Sequence, residues 1–244
     1  MYRDTKVFAG LASFPAREIA LGVAVASILP QVDELHVYLN DYAHVPAFLQ
    51  HDKIAVYRSQ DTAGDLKDTG KFWAAARVDG YFITLDDDLV YPADYATVLL
   101  RGIEQHGRKV VCTFHGRSFL TLPTTSYYRG ALKRLYRCLG AQPHSRGVQF
   151  GGTGVMGMHT STLRPRMEDF RAHGMADVWV GVLAARNKVP IVSLAHRSGW
   201  ITEVRGCDAR QSIYAQSKHH DAVQTSVVNE HAALFIAEPA KPKG

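Results

Sequence analysis

The chain has 244 residues, 46% of them hydrophobic and 21% charged, with a formal net charge of +5. That length suits one domain with its own core, and no apolar run reaches the roughly 18 residues that would cross a bilayer. Cys112, Cys138 and Cys207 are too few and too scattered for a disulfide framework or a zinc pattern; with no signal-peptide features at the start, a cytoplasmic protein that favours anionic partners is expected.

Residues 6–13 (KVFAGLAS) are a short apolar run suited to a buried strand. Pro15 sits where a first helical turn tolerates it, and residues 17–29 carry Ile19, Val23 and Ile28 at helical spacing. Residues 34–39 (ELHVYL) read as a second strand ending at Asn40-Asp41, 45–50 as helix or loop, and 53–58 (KIAVYR) as a third strand. The polar, glycine-bounded residues 62–70 read as a loop and 71–78 as a helix. Residues 80–85 (GYFITL) are the most strand-like run in the chain, followed by a helix over 93–104 and a buried strand over 109–114. This alternation predicts a mostly parallel sheet covered on both faces, with right-handed crossovers.

Beyond residue 115 the alternation breaks down. Residues 116–146 form a long, basic, Tyr-rich insertion, 148–159 are Gly-rich and extended, 175–187 are helical and 189–195 form a strand. We expect one domain over 1–237, with a nucleotide-binding half (1–115) and an acceptor-shaping half (116–237). A polar, disordered tail is expected at 238–244.

The sharpest feature is Asp86-Asp87-Asp88, directly after the apolar GYFITL run. Ligands of open α/β sheets bind outside the carboxyl ends of strands. Side chains alternate along an extended backbone, which puts Asp86 and Asp88 on one face and Asp87 on the other. Two carboxylates beside a docked diphosphate offer the hard oxygens that magnesium or manganese prefers. Without a cation, such clustered charges raise one another's pKa. The bland alternative is a solvated acidic turn. A haloacid-dehalogenase-type site is disfavoured, because it usually lies on the first strand with Thr two residues on, where this chain has Val90. His196, His219 and His220 are candidates to complete the metal shell.

Gly151-Gly152-Thr153-Gly154 lets backbone approach a donor sugar or acceptor closely. Trp179 and Trp200 could stack on sugar faces, with core packing as the alternative. Residues 127–140 (YYRGALKRLYRCLG) hold four cations and no acid; Arg129, Lys133 and Arg137 oppose a stripe of Tyr128, Leu132, Leu135 and Leu139. This spacing predicts an amphipathic helix, either lying peripherally on anionic lipid or packed on the core. No nucleic-acid-binding motif accompanies it.

In order, residues 12–17 (ASFPAR), 27–33 (SILPQVD), 37–40 (VYLN), 64–72 (GDLKDTGKF) and 82–88 (FITLDDD), with Tyr91-Pro92, resemble GT-A-fold glycosyltransferases of bacterial capsule and lipopolysaccharide synthesis. The particular likeness is to the α-N-acetylglucosaminyltransferases of heparosan capsule synthesis. It covers residues 6–100 well and continues more patchily through Gly152-Thr153-Gly154 and 175–179 (MADVW). The resemblance implies an α/β GT-A fold, a Rossmann-like mixed sheet with helices on both faces. It also implies transfer of N-acetylglucosamine or a related hexose from a UDP-sugar to a glycan or lipid-linked acceptor, at the inner face of the cytoplasmic membrane.

At matching positions it implies that Ser13, Pro15 and Arg17 hold the nucleoside and its phosphates, while Asn40, Asp68 and Lys71 line base and ribose. Asp86, beside Asp87, would touch ribose or a metal-bound water, and Asp88 would bind Mn2+ or Mg2+ directly. Gly152, Thr153, Gly154 and Trp179 would shape the acceptor side. Asp177 would face the acceptor, as general base in an inverting enzyme or as an orienting carboxylate in a retaining one. An ordinary first-turn helix Asp is the alternative for that residue. The competing functions are another metal-dependent nucleotide-processing enzyme (a nucleotidyltransferase or phosphohydrolase) and a non-catalytic nucleotide-sugar-binding module.

Overall fold

A computed structural model of the chain describes residues 5–129, 133–206 and 221–236. Its first four long strands, β1 (Val7–Ser13), β2 (Glu34–Leu39), β3 (Ile54–Arg58) and β4 (Tyr81–Leu85), pair in parallel. Next come β5 (Leu89–Val90), β6 (Val111–Thr113), β7 (Gly116–Phe119), β8 (Lys133–Tyr136) and β9 (Arg146–Val148). The last four are β10 (Phe150–Gly151), β11 (Val155–His159), β12 (Ile191–Ser193) and β13 (Thr202–Glu203). One eight-stranded sheet runs β3-β2-β1-β4-β11-β6-β12-β9; β10-β7-β8 form a smaller sheet, and β5 pairs with β13.

The large sheet is mixed and mostly parallel, as expected: β3, β2, β1, β4, β6 and β12 share one direction, while β11 runs antiparallel between β4 and β6, and β9 runs antiparallel to β12.

Helices α1 (Glu18–Ile28), α2 (Tyr95–Gln105), α3 (Ala176–Arg186), α4 (Ala222–Glu230) and α5 (Ala233–Ile236) complete the described elements. α1 and α2 pack into one apolar cluster, which includes Leu21, Ile28, Leu99 and Ile103. α3, α4 and α5 pack into a second, around Phe82, Phe150, Val180 and Phe235. Both faces of the sheet are therefore covered. In α1 the buried stripe is Ala20, Leu21, Ala24, Val25 and Ile28, whereas Ile19 and Val23 are exposed. The helix is apolar on nearly every side, so spacing alone does not choose its buried face.

Two predicted helices are corrected. Residues 71–78 form short 3-10 turns, Lys67–Phe72 and Ala75–Arg77. The first lies directly on β1, where a side chain at Gly10 would meet the Lys71 carbonyl; this contact carries Lys71 to the sheet edge. The amphipathic helix over 127–140 is replaced around β8, which pairs antiparallel with β7. Along it Leu135 lines a cleft while Tyr136 packs on the second core cluster, the two-residue alternation of a strand. The cation spacing at i, i+4 and i+8 fits either period, and the pairing edge of β7 decides in favour of the strand. The helical basis for a peripheral membrane contact through 127–140 goes with it. Among the described residues, no helix is long and apolar enough to cross a membrane. Leu132, Cys207, His219, His220 and the tail 238–244 lie outside the described residues.

Candidate active site

The carboxyl ends of β1, β2 and β4 open into a cleft of about 1090 Å³, the location an open α/β sheet provides for ligands. The walls include Ser13, Arg17, Asn40, Asp68, Lys71, Asp86, Asp87, Asp88, Gly152, Thr153, Gly154 and Asp177. Residues 86–88 leave β4 as a turn and not as extended chain, yet the expected division holds. Asp86 and Asp88 face the cleft, with side chains 44% and 31% exposed. Asp87 is buried, and its Oδ2 accepts a 2.6 Å hydrogen bond from Ser13 Oγ. Asp87 therefore supports the turn from beneath.

Each cleft-facing carboxylate rests on a buried cation. Arg17 Nη1 donates to Asp88 Oδ2 at 3.0 Å, and Lys71 Nζ donates to Asp86 Oδ1. Burial pushes the Asp88 carboxyl above its ordinary range and nearby Asp86 adds to this, against the pull of Arg17 and Lys71. Burial pushes Asp87 up to about 7, opposed by its Ser13 bond and reinforced by Asp88. Burial favours neutral Lys71, but Asp86, Asp68 and Asp177 outweigh it and raise the ammonium above its usual value.

The acceptor-side loop is fitted to this turn. The Tyr91 hydroxyl accepts from Asp86 N at 2.8 Å and donates to Gly154 O at 2.8 Å. A side chain on Gly154 would collide with the Asp86 carboxylate. Thr153 then donates from N (2.8 Å) and Oγ1 (2.7 Å) to Asp177 Oδ1. Asp177, on the first turn of α3, is thereby fixed in the wall of the same cleft. A closed chain of contacts runs from Lys71 through Asp86, Gly154, Thr153 and Asp177 to the α3 N-terminus, where Asp68 accepts from Gly174 N (2.7 Å) and Ala176 N (2.9 Å).

Asp68 and Asn40 line the cleft and also position loops: Asn40 bonds Lys67 O and Leu66 N, tying the 64–70 loop to the end of β2. Burial raises the Asp68 carboxyl, partly offset by Lys71 and the Ala176 amide. Pro15 is exposed and starts a 3-10 turn, setting the position of Arg17 without lining the cleft. Trp179 points away from the cleft into the second core cluster, edge-on to His231, so it does not stack on a sugar. Trp200 packs on Phe114 and donates to Asp94. His196 is not a metal ligand here: its Nδ1 and Nε2 lie 2.9 and 3.3 Å from the carbonyls of Leu194 and Arg137.

Sequence reasoning missed Tyr91 as a pin and His115, Arg117, Tyr128 and Arg137 as cleft walls. Tyr91 was visible beside the triplet, but its role needs Gly154, distant in sequence. Tyr128 and Arg137 lie in the stretch where a helix was expected, and His115 and Arg117 lie at and just inside the start of the basic insertion, a stretch without a predicted element. For a divalent ion, the described residues offer no group of three or more His, Cys, Asp or Glu side chains; Asp86 and Asp88 are the open oxygen donors of the triplet.

No family model matches the chain, and no curated protein matches it. Among solved structures, it is similar to Staphylococcus aureus TarS 1–349, with TM-score 0.53 and 11% identity over 96% of this chain and 66% of that one. The complex of TarS 1–349 with UDP-GlcNAc gives TM-score 0.58 and 11% identity over 96% and 68%. The chain thus spans about two thirds of the TarS 1–349 chain. The likeness is one of architecture, and it shows that this chain has the α/β GT-A fold, a Rossmann-like mixed sheet with helices on both faces.

Proposed function

We propose that the chain is a glycosyltransferase that moves N-acetylglucosamine or a related hexose from a UDP-sugar to a hydroxyl of a glycan or lipid-linked acceptor. The observation that carries this reading is the pair of cleft-facing carboxylates, each braced by a buried cation, sharing the cleft with a third carboxylate fixed by Thr153. The TarS complex with UDP-GlcNAc, in the same fold, supports a UDP-sugar donor.

Asp86 and Asp88 fit Mn2+ or Mg2+: both are hard oxygen donors open to the cleft, and such ions take remaining ligands from phosphate and water. A bound ion would supply Lewis-acid stabilisation of the nucleotide's charge. Arg17 and Lys71 hold the two carboxylates in place and add fixed positive charge beside the leaving diphosphate. Gly154 leaves Asp86 the room it occupies. Asp177 receives the acceptor proton if the sugar inverts, and orients the acceptor if configuration is retained. One observation favours a metal-free version of this reaction: both carboxylates already have a cationic partner in the protein.

Calorimetric titration of UDP, GDP and CDP, with and without Mn2+, followed by product analysis on a UDP-sugar panel, tests the proposal. Manganese-dependent UDP binding and sugar transfer are expected. EDTA-insensitive transfer would select the metal-free version. Nucleotide hydrolysis without transfer to any acceptor would overturn the reading in favour of a phosphohydrolase, and binding without turnover in favour of a binding module.

A further inference from the structure

From Gln105 to Met167 the chain contains no aspartate or glutamate, and this segment builds the cleft wall that carries His115, Arg117 and Arg137. Arg117 lies on β7 opposite Leu135 of β8; one step beyond the last strand pair, Gly116 with Tyr136, come His115 and Arg137. Arg117 is 7% exposed. Its Nη1 donates to Tyr127 O at 3.0 Å, and its guanidinium carbon lies 4.1 and 5.0 Å from the ring centres of Tyr127 and Tyr128. Its Nε is buried with no hydrogen-bond partner.

Arg17 and Lys71, at the donor end, each have a carboxylate. Arg117 and Arg137 have no ion-pair partner among the described residues. Withdrawing the Arg117 guanidinium from water without a counter-charge is strongly unfavourable, and tyrosine faces return only part of the loss; Arg137 is exposed and adds an open cation to the same wall. A ligand anion would return the remainder. Burial draws His115 below its ordinary pKa, and the two arginines draw it further against Asp177 and Asp86. The arginines are the fixed cations of this wall.

We infer that Arg117 and Arg137 form an anion subsite on the acceptor side of the cleft, and that the acceptor carries a phosphate or carboxylate group. The assignment of sides rests on the donor reading above. The guanidinium fork matches either oxyanion in two parallel hydrogen bonds.

The test titrates inorganic phosphate, glycerol 3-phosphate, glucuronate and neutral glucose at low ionic strength, and separately UDP with Mn2+. Arg137→Gln is the first variant, since Arg137 is exposed; Arg117→Lys, which keeps charge but loses the fork, is the second. The wild type should bind anions over glucose, and Arg137→Gln should weaken anion binding about tenfold or more, the scale of one charge-assisted hydrogen bond, with UDP affinity unchanged. Stronger binding of the phosphates or of glucuronate tells which group the acceptor carries. Equal binding of glucose and anions would overturn the subsite. Equal weakening of UDP and phosphate in Arg137→Gln would also overturn it, by assigning the arginines to the donor diphosphate. If UDP fails to bind while arginine-dependent phosphate binding persists, the donor reading falls and the subsite stands.

Discussion

Gly154 is where the cleft tolerates least. A methyl group there would lie 1.8 Å from Asp86 Oδ2 and 2.1 Å from its Cγ, where real contacts of this kind stay beyond 3.0 Å. In Gly154→Ala either the loop or the carboxylate must move. The loop is pinned by Tyr91 on Gly154 O and by Asp177 on Thr153. The Asp86 side chain is 44% exposed and gives way first. Its displacement separates Asp86 from buried Lys71. Breaking a fully buried ion pair costs about 3–5 kcal/mol. Asp86 is half in solvent, and Lys71 keeps the attraction of Asp68 and Asp177, so the expected loss of stability is about 1–2 kcal/mol. That corresponds to a drop in Tm of roughly 2–8 °C for a domain of this size. Manganese-dependent UDP affinity should fall about 10- to 100-fold, the effect of disturbing a ligand-orienting contact. Calorimetry at saturating Mn2+ reads the affinity, and differential scanning fluorimetry reads the fold. A folded Gly154→Ala protein with wild-type UDP affinity would refute the placement of Asp86 at the donor site.

Four further expectations follow from the same geometry. Asp88→Ala should abolish metal-dependent UDP binding while circular dichroism shows an intact fold; unchanged affinity would remove Asp88 from the metal site. Asp177→Asn should keep UDP affinity and lower transfer about 100-fold or more in product assays, and full activity would exclude Asp177 from the reaction. Asp68→Ala leaves the Gly174 and Ala176 amides without their acceptor and should cost about 1–3 kcal/mol in denaturant unfolding, with a smaller effect on UDP affinity than Asp88→Ala. At Asp221 burial pushes the carboxyl up, but bonds from Ser126 and the Tyr128 amide outweigh it and hold the pKa below the usual range. Its stabilisation is complete above the unfolded carboxylate value, near 4, and is lost as pH falls through the lowered folded value. Asp221→Asn should flatten the acid limb of a Tm-against-pH curve, and an unchanged limb would contradict this.

The front of the chain was legible because its signals are local. Residues 34–39 form β2 as expected, and β1, β3, β4 and α2 fall within a few residues of their predicted bounds. Each is an apolar run closed by polar or glycine punctuation. The triplet was found for the same reason, and Asp86 and Asp88 do share the cleft, although through a turn and not through strand alternation. What was hidden depends on partners far apart in sequence. β8 exists because β7 offers it an edge, and Trp179 turns into the core because α4 and α5 close over α3. Asp68 and Asn40, chosen as nucleotide contacts from the resemblance, line the cleft and also hold loops through backbone groups, which residue type alone does not reveal.

A crystal soaked with UDP and Mn2+, read by anomalous scattering at the manganese edge, tests the central claim most directly. The account predicts one manganese peak within coordinating reach of the Asp86 and Asp88 carboxylates, with the nucleotide in the same cleft. UDP bound away from these aspartates would contradict it; a nucleotide complex in this cleft with both carboxylates still held only by Arg17 and Lys71 would select the metal-free version.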